Sequence, residues 1–353
     1  MKVLTIVGAR PQFIKAWPVG RALQAAGIVE HLVHSGQHYD DQMSQVFFDE
    51  MGIRAPDQNL EVGSGAHGAQ TGRMLIALEQ VMEAERPDWV LVYGDTNTTL
   101  AGAVAACKLH IPIAHVESGL RSYNRRMPEE HNRVLTDHCS SLLLCPTQTA
   151  VENLAREGVT EGVHLVGDVM YDAVVHFGAV ARARSQVLSR TEVHEGAYYL
   201  ATIHRPYNTD DPDRLVGLLT ALDQLDAPVV LPMHPRTHAR LATHRRDGAF
   251  QQLRIIPPVG YLDMLRLEQG ARAVVTDSGG VQKESYFFGV PCFTLRPETE
   301  WVETVQSGWN TLAGDDGAEL SARVARWQRP TLPPPQFFGS GDAAVRIAAL
   351  LTR

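Results

Sequence analysis

Apolar and polar positions alternate in blocks along this chain. Short apolar runs rich in β-branched residues recur at 3–7, 31–34, 89–93, 111–116, 142–145 and 163–166. A second series follows at 198–203, 229–233, 253–256, 273–276 and 291–295. Between the runs lie longer stretches with helical spacing. One of them, 66–84, puts Met74, Leu75, Leu78, Val81 and Met82 on one side. Continuous apolar runs joined by helical crossovers are the mark of parallel sheets covered on both faces. Pro87, Pro112 and Pro228 stand at or just before strand starts, where a missing N–H is tolerated. Two series predict two Rossmann-like, doubly wound α/β domains, residues 1–170 and 171–353. The join is expected within 168–190, after Gly167. The polar stretch 180–195, with Arg182, Arg184 and Arg190, reads as the outer part of a linking helix. A closing helix over about 342–351 is a candidate to cross back to the first domain.

Length agrees with this division, since 353 residues make about two domains of roughly 150 each. The 32 basic and 40 acidic residues leave a net charge of −8, which argues against a basic nucleic-acid-binding surface. No apolar run reaches the roughly 18 residues a membrane-spanning helix needs. The opening run stops at Gly8 and Arg10 without a long apolar core or a cleavage site, so it reads as a first strand and not as a signal peptide. The cysteines, Cys107, Cys139, Cys145 and Cys292, form no CxxC pair and stand in apolar settings. They are expected to be buried free thiols in a cytoplasmic enzyme.

Ligands of open parallel sheets sit beyond the carboxyl ends of the strands, and in a two-domain protein the cleft between domains is the default site. The polar residues that follow each run are therefore the ones to weigh. After the first run, Gly8-Ala9-Arg10-Pro11-Gln12 carries one glycine, so a dinucleotide fingerprint is absent and no nicotinamide or other cofactor is expected. Arg10 and Lys15 can hold phosphate charge or can be solvated cations at a helix start. Asp95 follows the strand at 89–93, where an N-cap is the rival reading. Glu117 emerges at the same edge, and Glu129 lies near a helix start where a carboxylate is welcome. Together they supply a general acid and a general base. In the second domain His204 is a strand-end candidate for phosphate contact or proton transfer. His234 and His238 have i,i+4 spacing but enclose a proline and lack the Glu of HExxH, so no metal is expected. In Thr276-Asp277-Ser278-Gly279-Gly280-Val281-Gln282-Lys283-Glu284, a strand runs through Ser-Gly-Gly into a helix. Glycines admit an anion to the backbone and the helix start offers free N–H groups, a cradle for a diphosphate. Glu284, one turn on, can accept from ribose hydroxyls. The alternative is a glycine-rich turn with no ligand.

GARPQFIK, YGDTNTTLAG, HVESGLRS, RMPEEHNR, CPT, VGDVMYD, IHR and TDSGGVQKE occur in this order. As a set, over about residues 1–310, they resemble the non-hydrolysing UDP-N-acetylglucosamine 2-epimerases. The resemblance implies a glycosyltransferase-B-like fold, a homodimer, an interdomain active site and a UDP-sugar substrate. By position it makes Asp95, Glu117, Glu129 and His204 catalytic. It makes Arg10, Lys15, Arg205, Met264, Ser278, Gly279, Gly280 and Glu284 substrate-binding, and Gln42, Gln70 and His234 candidates for a second, allosteric UDP-sugar site. The chemistry implied is loss of UDP across C1–C2 to a 2-acetamidoglucal, then re-addition with protonation on the other face, in a pathway of polysaccharide precursors.

The chain departs from the family in three places. Many members have Glu where Gln12 stands, Glu is usual in place of Tyr207, and the usual Glu-Arg pair reads Glu300-Trp301. With GARPQ and NRRMPEE, these features resemble the branch that epimerises UDP-2,3-diacetamido-2,3-dideoxy-glucuronate, where Arg125 and Arg126 would pair with the uronate carboxylate. A glycosyltransferase of the same fold, a hydrolysing epimerase and a nucleotide-sugar sensor are the remaining alternatives.

Overall fold

A computed structural model describes residues 1–37, 51–233, 237, 241, 250–314 and 319–352. The chain divides into two compact units, Met1–Val175 with Gln336–Arg353, and His176–Pro335. In the first, β1 (Lys2–Val7) leads through Pro11 into α1 (Arg10–Ala25), then β2 (Val29–His34), β3 (Gln58–Asn59) and α2 (His67–Glu85). β4 (Trp89–Tyr93), α3 (Asn97–Lys108), β5 (Ile113–Val116), α4 (Pro128–Cys139), β6 (Leu142–Cys145), α5 (Gln148–Arg156) and β7 (Val163–Leu165) follow, and α6 (Val169–Arg184) begins in the first unit and ends in the second. Among the described residues the strands form one sheet in the order β3-β2-β1-β4-β5-β6-β7. Every pairing in it is parallel. Leu4 and Ile6 of β1 and Val90 and Val92 of β4 pack under Met74, Leu78, Val81 and Met82 of α2 and the alanines of α3. Small residues let α3 lie close: a Cβ on Gly102 would fall 2.9 Å from Ile6 Cδ1.

The second unit continues with α7 (Val187–Arg190), β8 (Tyr199–Thr202), α8 (Pro206–Thr209), α9 (Pro212–Asp223), β9 (Val229–Pro232), β10 (Leu253–Ile256) and α10 (Tyr261–Gly270). It ends with β11 (Ala273–Thr276), α11 (Gly279–Phe287), β12 (Cys292–Thr294), α12 (Val302–Gln306), β13 (Asn310–Leu312) and α13 (Leu320–Arg326). Its described strands make a parallel sheet in the order β10-β9-β8-β11-β12-β13. Alternate residues serve opposite cores. Tyr199, Ala201, Val229, Leu231 and Val275 face one, and Tyr198, Leu200, Val230 and Val274 face the other, as a strand's twofold repeat requires. The last helix, α14 (Ala343–Leu351), belongs to the first unit, where it packs on α1.

Four features differ from expectation. The two-residue β3 and the polar-flanked β13 extend the sheets beyond the apolar runs. The helix read into 180–195 is interrupted: α6 stops at Arg184, and the Ser185 hydroxyl accepts from the Val187 N–H at 3.2 Å, offering the backbone a turn in place of the next helical bond. Among the cysteines, Cys145 and Cys292 are buried, but Cys139 is half-buried and Cys107 is exposed. No helix among the described residues is long and apolar enough to cross a membrane.

Candidate functional site

In both sheets the strand order reverses once, at β1/β4 in the first unit and at β8/β11 in the second. Ligands of open parallel sheets bind outside the carboxyl ends at such a reversal. The sequence places Gly8–Gln12 and Gly94–Thr96 at the first, and His204–Arg205 and Asp277–Gly280 at the second.

At the first reversal Gln12 is the hub. Its Oε1 accepts from the N–H groups of Gly8 (2.8 Å) and Ala9 (3.0 Å). Its Nε2 donates to the Tyr93 carbonyl (2.8 Å) and the hydroxyls of Thr96 and Thr99. An amide satisfies both sets, whereas a carboxylate has nothing to donate to a carbonyl oxygen. Gly8 must be glycine, because a Cβ there would lie 2.1 Å from Thr98 Oγ1 and 2.3 Å from Ser35 Oγ. Thr96, not Asp95, caps α3, its Oγ1 accepting from Thr99 N. Asp95 is thereby released from the capping role and pairs with Arg133 of α4. Arg133 also reaches Glu130 at 2.8 Å.

Glu117 is 5% exposed and forms an ion pair with Lys15 of α1. Its φ of 70° lies in the left-handed region. For a residue with a Cβ that conformation costs about 1–2 kcal/mol, and such strain gathers at functional sites. Glu129 stands half-buried in the first turn of α4, beside the positive end of the helix. Arg10 is the first residue of α1 and half-buried. The structure thus brings Lys15 to Glu117 and Asp95 to the helix that carries Glu129.

Gln70 is buried, donating to the Gly63 carbonyl at 2.8 Å and accepting from Asn97 Nδ2 at 2.9 Å. Gln42, His234 and His238 lie outside the described residues. Arg125 and Arg126 are exposed on the loop before α4.

At the second reversal Asp277, which sequence reasoning passed over, is the organiser. It is wholly buried, and its carboxylate accepts from the backbone N–H groups of His204 and Arg205 and from Asn208 Nδ2. His204 Nδ1 approaches its Oδ1 at 2.9 Å, while the His204 side chain stays 57% exposed. Burial alone would raise this carboxyl, but His204 and the donors around it outweigh burial and hold it below the ordinary carboxylate range. The one local signal was its place at a strand end immediately before Ser-Gly-Gly.

Ser278 caps α11, its Oγ accepting from Val281 N at 3.4 Å. Gly279 and Gly280 open the helix. A Cβ on Gly279 would fall 2.6 Å from Glu300 Oε1 and 3.3 Å from Trp301 Nε1, so the cradle is walled by Glu300 and by Trp301, the residue that departs from the usual Glu-Arg pair. Lys283 lies with Nζ 4.0 Å from the centre of the Trp301 ring. Glu284 is buried and accepts from the Tyr261 hydroxyl at 2.9 Å. Met264, one turn along α10 from Tyr261, is half-buried against the core. Tyr207 is exposed, donates to the Leu295 carbonyl at 3.2 Å and lies under the Arg214 guanidinium.

Comparison with known proteins adds four findings. A family model described as UDP-N-acetylglucosamine 2-epimerase matches residues 21–352. The UDP-2,3-diacetamido-2,3-dideoxy-D-glucuronate 2-epimerase of Pseudomonas aeruginosa is 48% identical over 362 residues, spanning 100% of both chains. A crystal structure of Methanocaldococcus jannaschii UDP-GlcNAc 2-epimerase, in complex with UDP-GlcNAc and UDP, superposes with a TM-score of 0.91 at 42% identity, covering 100% of this chain and 99% of that one. A spinosyn rhamnosyltransferase at 14% identity and TM-score 0.54 shares the fold alone, which is glycosyltransferase-B-like.

Proposed function

The chain belongs to the UDP-N-acetylglucosamine 2-epimerase family, and from that premise we propose that it inverts C2 of a UDP-2-acetamido sugar, UDP-N-acetylglucosamine to UDP-N-acetylmannosamine, without hydrolysing it. The observation that carries this reading is the set of carboxylates Asp95, Glu117 and Glu129 beyond one reversal of strand order, with cations among them.

C2 of the sugar has no neighbouring carbonyl, so its proton is not acidic enough for direct removal and return. Elimination solves this. A base takes the C2 proton, the C1–O bond breaks, and UDP leaves from a 2-acetamidoglucal. Re-addition of UDP with protonation of C2 on the opposite face gives the epimer. Proton donors and acceptors are needed on both faces, and the three carboxylates fill those roles. Arg10 and Lys15 are assigned to the anionic substrate. His204, Arg205 and the N–H groups of Gly279 and Gly280 are assigned to the departing diphosphate, where fixed donors aimed at developing charge lower the barrier. Glu284 is assigned to the ribose, and Met264 to the substrate beside it. Gln70, with Gln42 and His234, is kept for a second UDP-sugar site. The same reading carries a homodimer and a cytoplasmic setting, the first from the family resemblance and the second from the unpaired cysteines.

The 48% identity to the Pseudomonas aeruginosa enzyme supports a second reading, in which the sugar is the diacetamido-glucuronate. One experiment covers both. The protein is incubated in D₂O with each UDP-sugar and followed by proton NMR. The C2 epimer of UDP-N-acetylglucosamine, with deuterium at C2 and the nucleotide still attached, is the expected result. Turnover of the diacetamido-glucuronate alone selects the second reading. Free UDP with free N-acetylmannosamine means a hydrolysing enzyme, and no change with either sugar overturns the epimerase reading.

A further inference from the structure

His115 lies on β5, two residues before Glu117, and is completely buried. Its Nε2 is 2.7 Å from the Gly94 carbonyl oxygen, and its Nδ1 is 2.7 Å from Asp137 Oδ1. Both partners are acceptors. A neutral imidazole donates from one nitrogen only and would turn a lone pair on the other acceptor, so the ring that satisfies both is doubly protonated. Its charge is balanced in place. Asp137, 1% exposed, also accepts from Gly119 N (3.1 Å) and Arg121 Nη1 (2.7 Å). Arg121 in turn makes a two-pronged pair with Glu157 at 2.7 Å on each arm. Burial works against the Asp137 carboxylate, but His115 and Arg121 overcome it and hold the carboxyl below its ordinary range.

What this ring touches is the base of the candidate site. Gly94 is held at its other end by its N–H, which donates to the Val116 carbonyl at 3.0 Å. Asp95 follows directly. A Cβ on Gly94 would sit 3.2 Å from Glu117 Oε2 and 3.5 Å from Lys15 Nζ, so the Glu117–Lys15 pair rests over the same glycine. Asp137 lies on α4, the helix that carries Glu129 and the Arg133 that pairs with Asp95.

We propose that His115, as a buried imidazolium between the Gly94 carbonyl and Asp137, is a positioning residue that fixes Asp95, Glu117 and the helix bearing Glu129 in one arrangement. The inference rests on the epimerase reading above, for it assigns those carboxylates the proton transfers. A displacement of about 1 Å at such groups costs on the order of a hundredfold in rate, while leaving contacts to the nucleotide alone.

Two variants and one spectrum test it. His115→Gln keeps one donor but sets an amide oxygen or nothing against Asp137. It is expected to lower kcat by about a hundredfold, with KM for the UDP-sugar within about threefold and an intact unfolding transition. Asp137→Asn is the conservative partner. Its amide N–H can donate to Nδ1 of a ring that keeps Nε2–H on Gly94, while its oxygen still accepts from Gly119 and Arg121. It is expected to fold and to retain kcat within about tenfold. In wild-type protein carrying ¹⁵N-histidine, both ring nitrogens of His115 are expected to bear protons. The signal is assigned by its change in Asp137→Asn, and this readout stands even if His115→Gln does not fold. A folded His115→Gln with wild-type kcat, a change confined to KM, an Asp137→Asn loss equal to that of His115→Gln, or a ring with one bare nitrogen overturns the proposal. If the wild type turns over neither UDP-sugar, the epimerase reading fails instead, and the spectrum alone decides the proton placement.

Discussion

Two carboxyl groups that touch inside a core share one proton. Glu268 of α10 is wholly buried beside Glu284, and burial together with the neighbouring carboxylate pushes its carboxyl well up from the ordinary value. Glu268 is therefore held toward its protonated form, beside the Glu284 that is assigned to meet ribose hydroxyls. The consequence for stability has a definite sign. A group whose folded value is raised binds more protons in the native state. Its contribution is complete below the unfolded glutamate value of about 4.3 and erodes as pH rises, by at most about 1.4 kcal/mol per pH unit. Glu268→Gln supplies the same donor without titrating. Its stability relative to wild type, from urea midpoints, is expected to improve by at least about 1 kcal/mol between pH 5 and pH 8. A constant offset across that range would show that Glu268 is ionised in the fold.

At the scale of the element, the turn from β1 into α1 is held by one amide. Gln12→Glu replaces the donor facing the Tyr93 carbonyl with a second acceptor. The cost expected is about 1–3 kcal/mol at pH 7, read as a lower urea midpoint, and it should shrink toward pH 5 as the introduced acid protonates and donates again. A loss that does not change with pH would place the damage elsewhere. This amide also marks the limit of what the sequence alone conveys. Buried strands are legible because both faces demand apolar side chains, so the long runs were found with small shifts at their ends. β3, with two residues, and β13, opening on Asn310, carry too little apolar signal to stand out. The residues ending each strand were legible as candidates because open sheets bind ligands there. Their partners were not. Asp95 and Arg133 are 38 residues apart, His115 and Asp137 are 22 apart, and His204 and Asp277 are 73 apart. Such pairings follow from the order of strands in the sheet and leave no local pattern. Even the choice of Thr96 over Asp95 as the cap of α3 depends on where the helix begins, by one residue.

For the whole molecule, the order of the chain makes the first unit depend on its last residues. The backbone leaves that unit after Val175, builds the second, and returns at Gln336. There α14 buries Ala343, Ala344, Ile347, Ala348 and Leu351, lying on α1. Asp172 of α6 accepts from the N–H groups of Ala343 (3.3 Å) and Ala344 (2.8 Å), securing the start of the helix. Burying one large aliphatic side chain stabilises by about 1.5–3 kcal/mol, so Ile347 and Leu351 together contribute about 3–6 kcal/mol. That is a large share of the roughly 5–15 kcal/mol by which a domain is stable at all. A chain ended at Pro335 is therefore expected to lose amide-exchange protection in peptides from β1 and β4 while keeping it in peptides from β8 and β11. The second unit has all of its residues before the cut, and the first has lost the cover of the helix that carries Arg10 and Lys15. Turnover should vanish with the first unit's protection. Equal loss in both sets of peptides would mean that the units do not fold separately, and protection retained in β1 and β4 would mean that α14 contributes far less than its burial implies.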